Sequence, residues 1–127
     1  MKKKSTTKTH RKLAVSFATV RKLALAFPDV QEGSSYGTPG FKVRGKFMLR
    51  LKEDGESLAV RVGSIEERDM MLRADPRVFF ITDHYQNYPA VLVRLSTATV
   101  PKLRELLEES WRSVAPPRLV AEFNKRS

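Results

Sequence analysis

Four stretches of this chain alternate between apolar and basic residues with a period of two. They are Phe41, Lys42, Val43, Arg44; then Lys46, Phe47, Met48, Leu49, Arg50, Leu51, Lys52; then Leu58, Ala59, Val60, Arg61, Val62; then Val91, Leu92, Val93, Arg94, Leu95. Side chains on a strand point alternately to the two faces of its sheet, so each stretch predicts a half-buried strand. Residues 78–82 and 90–95 predict the last two strands, joined by residues 83–89. Glu53, Asp54, Gly55 and Glu56 place a hairpin turn with Asp-Gly at its centre. A bulge or tight turn is expected at Arg44 and Gly45. The turn-rich residues 33–40 leave room for a short edge strand and a loop.

The helices follow a different period. Phe17, Val20, Ala24 and Phe27 recur at spacings of three and four, with Ser16 as N-cap and Pro28 as stop. Ser64 and Glu67 form a capping box for a second helix that ends near Asp75 and Pro76. Leu103, Leu106, Leu107, Ser110, Trp111 and Val114 make the cleanest stripe, opened by Thr99 and Pro101. Ala115, Pro116 and Pro117 interrupt it before a short helix carrying Leu119, Val120 and Phe123. The order α-β-β-β-α-β-β-α-α predicts an α+β two-layer sandwich, a mainly antiparallel sheet with helices packed on one face.

Charge changes the picture next. The 127 residues carry a net charge of +10, which favours polyanionic partners. Six of those charges lie in residues 1–12, leaving +4 for the rest. Residues 1–12 read as a basic disordered tail and 13–127 as a single domain. The tail could add non-specific affinity for nucleic acid or serve only as a solubilising end.

The predicted exposed phase of the sheet collects Lys42, Arg44, Lys46, Arg50, Lys52, Arg61 and Arg94, with Met48, Ala59 and Leu92 between them. No acid shares that phase. Such a face can hold a phosphate backbone with little sequence readout. The plainer alternative is a solvated strand face, where Lys and Arg stems cover apolar surface. His84 and Tyr85 sit among amides and a second tyrosine in residues 82–89, a loop that could stack on bases or merely order itself.

Chemistry is sparse. The two histidines are His10, in the tail, and His84. No nucleophile elbow, phosphate loop or zinc-protease motif is present, and no catalytic residue, metal site or cofactor is expected. The absence of cysteine excludes disulfides and suits a reducing compartment. No apolar run is long enough to span a bilayer. Arg21 and Lys22 interrupt any signal-peptide core, while a mitochondrial transit peptide remains an alternative because the first acid is Asp29. The expected location is the cytoplasm, with no membrane association.

Several segments resemble the MmcQ/YjbR-like family. They are residues 23–30 (LALAFPDV), 36–43 (YGTPGFKV), Gly45-Lys46-Phe47, 89–95 (PAVLVRL) and 109–119 (ESWRSVAPPRL). The resemblance runs over residues 17–123. It implies a frataxin-like (CyaY-like) α+β domain and the family's description as DNA-binding. It carries no catalytic residues. Phe41, Gly45, Lys46, Trp111, Ala115 and Pro116 match its pattern, most of them as determinants of the fold. Lys46 and Arg94 also fall on the basic face. The frataxin-like arrangement raises iron binding, but the first helix lacks a dense acidic face. The expected function is therefore nucleic-acid binding, DNA ahead of RNA, with weak sequence preference. The alternative is a protein- or small-anion-interaction domain using the same face.

Overall fold

The computed structural model describes residues 13–126. The elements run α1 (Phe17–Leu25), β1 (Val30–Ser35), β2 (Thr38–Val43), β3 (Lys46–Leu51), β4 (Ser57–Arg61), α2 (Ile65–Ala74), β5 (Phe79–Phe80), a 3-10 turn (Asp83–Tyr85), β6 (Ala90–Arg94), α3 (Val100–Val114) and α4 (Pro117–Arg126). All strand pairs are antiparallel, in the spatial order β1-β2-β3-β4-β6-β5. The α+β, antiparallel architecture is the one expected. The basic tail expected over residues 1–12 lies outside the described residues.

The caps form as the sequence requires. Ser16, Ser64 and Thr99 accept from the amides of Thr19, Glu67 and Lys102 at 3.2, 3.1 and 3.3 Å. Each satisfies one of the free N–H groups at a helix start. Trp111 is fully buried on α3 and donates its indole N–H to the Pro28 carbonyl at 2.9 Å. Phe27 and Phe123 pack on its ring at centroid distances of 5.8 and 4.9 Å. The main core lies between the helices and one sheet face, where Leu49, Val60 and Val91 form one row across β3, β4 and β6.

Three details differ from expectation. β1 is a full six-residue strand, so the order contains one strand more before α2. Its burial is slight along most of its length, and its Gly and Ser residues give no apolar alternation to read. β5 is only two residues long, because the chain leaves the sheet into the 3-10 turn. The third difference is in β3. Phe41 pairs with Leu49 while Lys42 pairs with Phe47, so Met48 is an extra, bulged residue. Beyond a bulge the parity of the strand inverts. Met48, expected on the exposed phase, therefore lies fully buried in the helix-side core, and Phe47 turns to the other face.

Candidate nucleic-acid interface

The sheet face away from the helices carries a second, smaller core. Ala59, Ala90 and Leu92 are buried there beneath Tyr85, with Phe47 and Phe80 packed alongside. Ala59 and Leu92, expected to face water, are thus covered by the loop that contains the 3-10 turn. Arg68 of α2 holds that loop down. Its buried guanidinium donates to the carbonyls of Tyr85 and Tyr88 at 2.8 and 3.1 Å. Those carbonyls flank the end of the 3-10 turn and also accept from the amides of Tyr88 and Ala90 at 3.1 and 2.7 Å, so Arg68 adds a charged second donor to each.

Four cations border this small core, each set against an aromatic ring. The Arg50 guanidinium lies 5.1 Å from the Tyr36 ring centre, and Lys52 Nζ lies 5.1 Å from that of Tyr85. Arg61 lies 5.8 Å from Tyr88, and Arg94 lies 4.3 Å from Phe80. A cation over a ring face is attracted by the ring's quadrupole, more so when water is excluded. The register explains the grouping. Gly40, Arg50, Ala59, Leu92 and Phe80 form one row across β2, β3, β4, β6 and β5. Lys52 and Arg61 lie two residues from Arg50 and Ala59 along their strands, so they share the same face.

The four cations are not equally available. Arg50 is only 7 % exposed. Its Nη1 donates to Thr38 Oγ1 at 3.2 Å, to Glu53 Oε2 at 3.3 Å and to the Leu51 carbonyl at 3.4 Å. A side chain on Gly40 would place its Cβ 2.7 Å from Ser35 Cβ and 3.5 Å from Arg50 Cβ, so this glycine leaves the space beside Arg50. Arg94 donates to the Pro76 carbonyl at 3.1 Å and anchors the segment that leads into β5. Lys52 donates to the Tyr85 hydroxyl at 3.4 Å. Arg61 is half-buried, with Nε on the Val62 carbonyl at 3.2 Å.

The remaining predicted site residues fall elsewhere. Lys42 is exposed on the same face as Arg50. Arg44 sits at the tip of the β2–β3 hairpin with φ 50°, followed by Gly45 at 84°. There it pairs with Asp29 at 2.7 Å. Lys46 stands opposite Val43, on the parity that the bulge inverts. His84 is exposed and meets the Tyr85 ring edge-on at 5.0 Å. The structure therefore gathers Lys42, Arg50, Lys52, Arg61, Arg94 and Tyr85, with His84 at the margin, and moves Arg44 and Lys46 to a hairpin end. Sequence reasoning missed Tyr36, Phe80 and Arg68, and it placed Tyr88 in the candidate stacking loop without its cation partner Arg61. The one signal for Tyr36 was its place before Gly37 in a turn-rich stretch.

β2, β3, β4 and β6 contain no Asp or Glu. Glu53, in the following turn, reaches this face at 3.3 Å from Arg50 and 3.8 Å from Lys52, and Asp54 accepts from the Ser57 hydroxyl at 3.0 Å at its edge. The Glu53 carboxyl is held below the usual glutamate range, first by its own backbone N–H and then by those two cations. Among the described residues no group of three His, Cys, Asp or Glu gathers as a metal site, and no helix is long and apolar enough to cross a membrane.

Comparison with known proteins places this geometry. Uncharacterised proteins of Mycobacterium tuberculosis strain H37Rv and of Mycobacterium bovis are each 41 % identical over 69 residues, covering 54 % of this chain and 54 % of theirs. The chain thus aligns with about half the length of the curated relatives it matches. A crystal structure of a Deinococcus radiodurans protein with a DUF419 domain superposes with a TM-score of 0.63 at 22 % identity, covering 76 % of this chain and 75 % of that one. That likeness shows the fold. The YjbR family model matches residues 25–113, from the end of α1 through most of α3, and the chain is a member of the YjbR family.

Proposed function

We propose that this protein binds nucleic acid, DNA ahead of RNA, through phosphate contacts on the sheet face opposite its helices. The observation that carries the reading is the charge pattern of that face: four strands without an acid, bordered by Lys42, Lys52 and Arg61. These three cations take the phosphate-contacting role. Arg50 is 7 % exposed and held by Thr38, Leu51 and Glu53, and Arg94 ties down the distant carbonyls of Pro76 and Arg77, so they shape the face instead. The carbonyl that Arg61 meets is only that of its chain neighbour Val62. Phosphate contacts fix register and orientation without reading bases, which gives weak sequence preference. The reading assigns no catalytic step.

The test is duplex binding across a salt series with the full chain. Each phosphate contact contributes about 0.9 to the slope of log K against log salt. Reversing Lys42, Lys52 and Arg61 to Glu together should abolish most of the salt-dependent affinity. Replacing Lys2, Lys3, Lys4, Lys8, Arg11 and Lys12 by Gln in the same chain separates the tail's share. An unchanged isotherm for the triple reversal in that tail-neutral background would exclude the sheet face as the binding surface. Equal displacement by heparin and by DNA would mark a generic polyanion surface in place of a nucleic-acid site.

A further inference from the structure

We propose that Tyr36 and Tyr88 are stacking platforms for unpaired bases, so that the preferred ligand is single-stranded nucleic acid. This rests on the nucleic-acid reading above and names the form of the ligand. Tyr36 is 85 % exposed, more than any other large apolar side chain among the described residues. Exposure alone would carry little. The turn that carries it is also tight. Tyr36 has φ 56° and Gly37 has φ 82°, the paired positive values of a tight hairpin turn. Asn, Asp or Gly normally takes the first of these positions, because a bulkier side chain strains there. A tyrosine kept at such a position projects its ring from a rigid tip.

Behind that ring lies Arg50, whose guanidinium is fixed by Thr38, Leu51 and Glu53. One side of the phenol therefore rests on a buried cation, and the high exposure leaves the other side to water. Tyr88 repeats the arrangement. It is 41 % exposed, backed by Arg61, and its carbonyl is tied to Arg68. Arg50 and Arg61 stand on adjacent strands two positions out of register, about 8 Å apart by strand geometry. Tyr85, with Lys52 on its ring and hydroxyl, packs on the same face.

A ring that its turn projects over a fixed cation offers one face to a base before binding, which lowers the ordering cost. Base-on-aromatic stacking contributes about 1–3 kcal/mol per base and tolerates any sequence. A base inside a duplex has both faces covered by its neighbours, so only an unpaired base can use such a platform. The cations Lys42, Lys52 and Arg61 then serve the backbone while the two tyrosines hold bases.

The experiment uses the full chain, a fluorescein-labelled oligothymidylate of about 15 nucleotides and a duplex of equal length, read by anisotropy at one salt concentration. The oligothymidylate is expected to bind more tightly than the duplex. Tyr36→Ala and Tyr88→Ala should each weaken it by about 5- to 150-fold, the stacking range. Tyr36→Phe and Tyr88→Phe keep the platform and should bind as the parent does. Duplex affinity should stay within about twofold throughout. If the alanine variants bind oligothymidylate as tightly as the parent while the Lys42, Lys52, Arg61 reversal still destroys duplex binding, the platforms are refuted and the nucleic-acid reading survives. If the parent binds neither probe, both fail. Tyr36 touches only the rim of the fold, so its variants keep the test decisive should Tyr88→Ala loosen the loop.

Discussion

The two faces of the central sheet are built from the same alternation and end in different states. On the helix side, Leu51, Leu58, Val93 and Phe79 make a row that α1 and α3 seal with Val20, Leu103, Leu107 and Trp111. On the other side, the row of Gly40, Arg50, Ala59, Leu92 and Phe80 is sealed at its middle by one tyrosine on a short turn. Both faces bury their centre. Both keep cations against aromatic rings, Lys102 over Phe79 and Arg112 over Phe123 on the helix side, but on the second face the ring-backed cations Arg50, Lys52, Arg61 and Arg94 come from the sheet strands and the turn after β3. A strand's polar phase therefore need not be a solvated phase. Its charged heads can be drawn down onto rings and carbonyls while their charge remains near the surface.

The faces should differ most in what holds them. On the helix side the centre is Trp111. Its replacement by Ala removes the ring that Phe27 and Phe123 pack on, along with the bond to the Pro28 carbonyl. A loss of about 3–5 kcal/mol is expected in urea unfolding, with the transition still a single step. On the other side the corresponding residue is polar. Arg68→Met removes the charged donor that ties α2 to the carbonyls of Tyr85 and Tyr88 and leaves them only their local backbone bonds, at a cost of about 1–3 kcal/mol. Hydrogen exchange should then accelerate at the amides of residues 83–88 and stay unchanged along β3 and β4. Acceleration spread evenly over the sheet would mean the loop and the sheet open as one unit, and the contrast between the faces would fall.

Arg68 also shows where sequence reasoning stopped. It lies among Glu66, Glu67 and Asp69, in a helix turn that reads as solvated charge. Its partners are 17 and 20 residues away, on a loop whose path no local signal fixes. The helices and the four alternating strands were legible because periodicity and capping are local. Met48 was not, because a bulge depends on how two strands meet and leaves the composition of either one unchanged. The identities of the basic face were legible for Lys42, Arg50, Lys52, Arg61 and Arg94. Their aromatic partners were not: Tyr36 comes from a hairpin tip 14 residues before Arg50, and Tyr88 from the loop beyond α2. Arg44 and Lys46 were misplaced by the same bulge and by the tight turn between them.

The helix layer supplies a contrasting case, acids crowded along the edge of a groove that Lys102 also lines. A groove of about 340 Å³ separates α2 from α3, floored by Met70, Met71, Phe79 and Leu106 and edged by Glu67, Glu105 and Glu109. Burial pushes the Glu109 carboxyl above the usual range, and Glu67, Glu105 and Glu108 push it further in the same direction. A raised carboxyl keeps its proton in the folded chain at a pH where the unfolded chain has lost it. Stability therefore falls as pH rises from the ordinary glutamate range through the raised value, and the penalty is complete above it. Glu109→Gln removes the charge that incurs this penalty. At neutral pH the variant should be the more stable, by no more than about 0.5 kcal/mol for so exposed a site. The gain should vanish below the ordinary glutamate range, where both side chains are neutral. Thermal melts at neutral and acidic pH measure this difference. Equal melting temperatures at neutral pH would mean that water, counterions and Lys102 relieve the acids, and that this crowding of like charge costs the fold nothing.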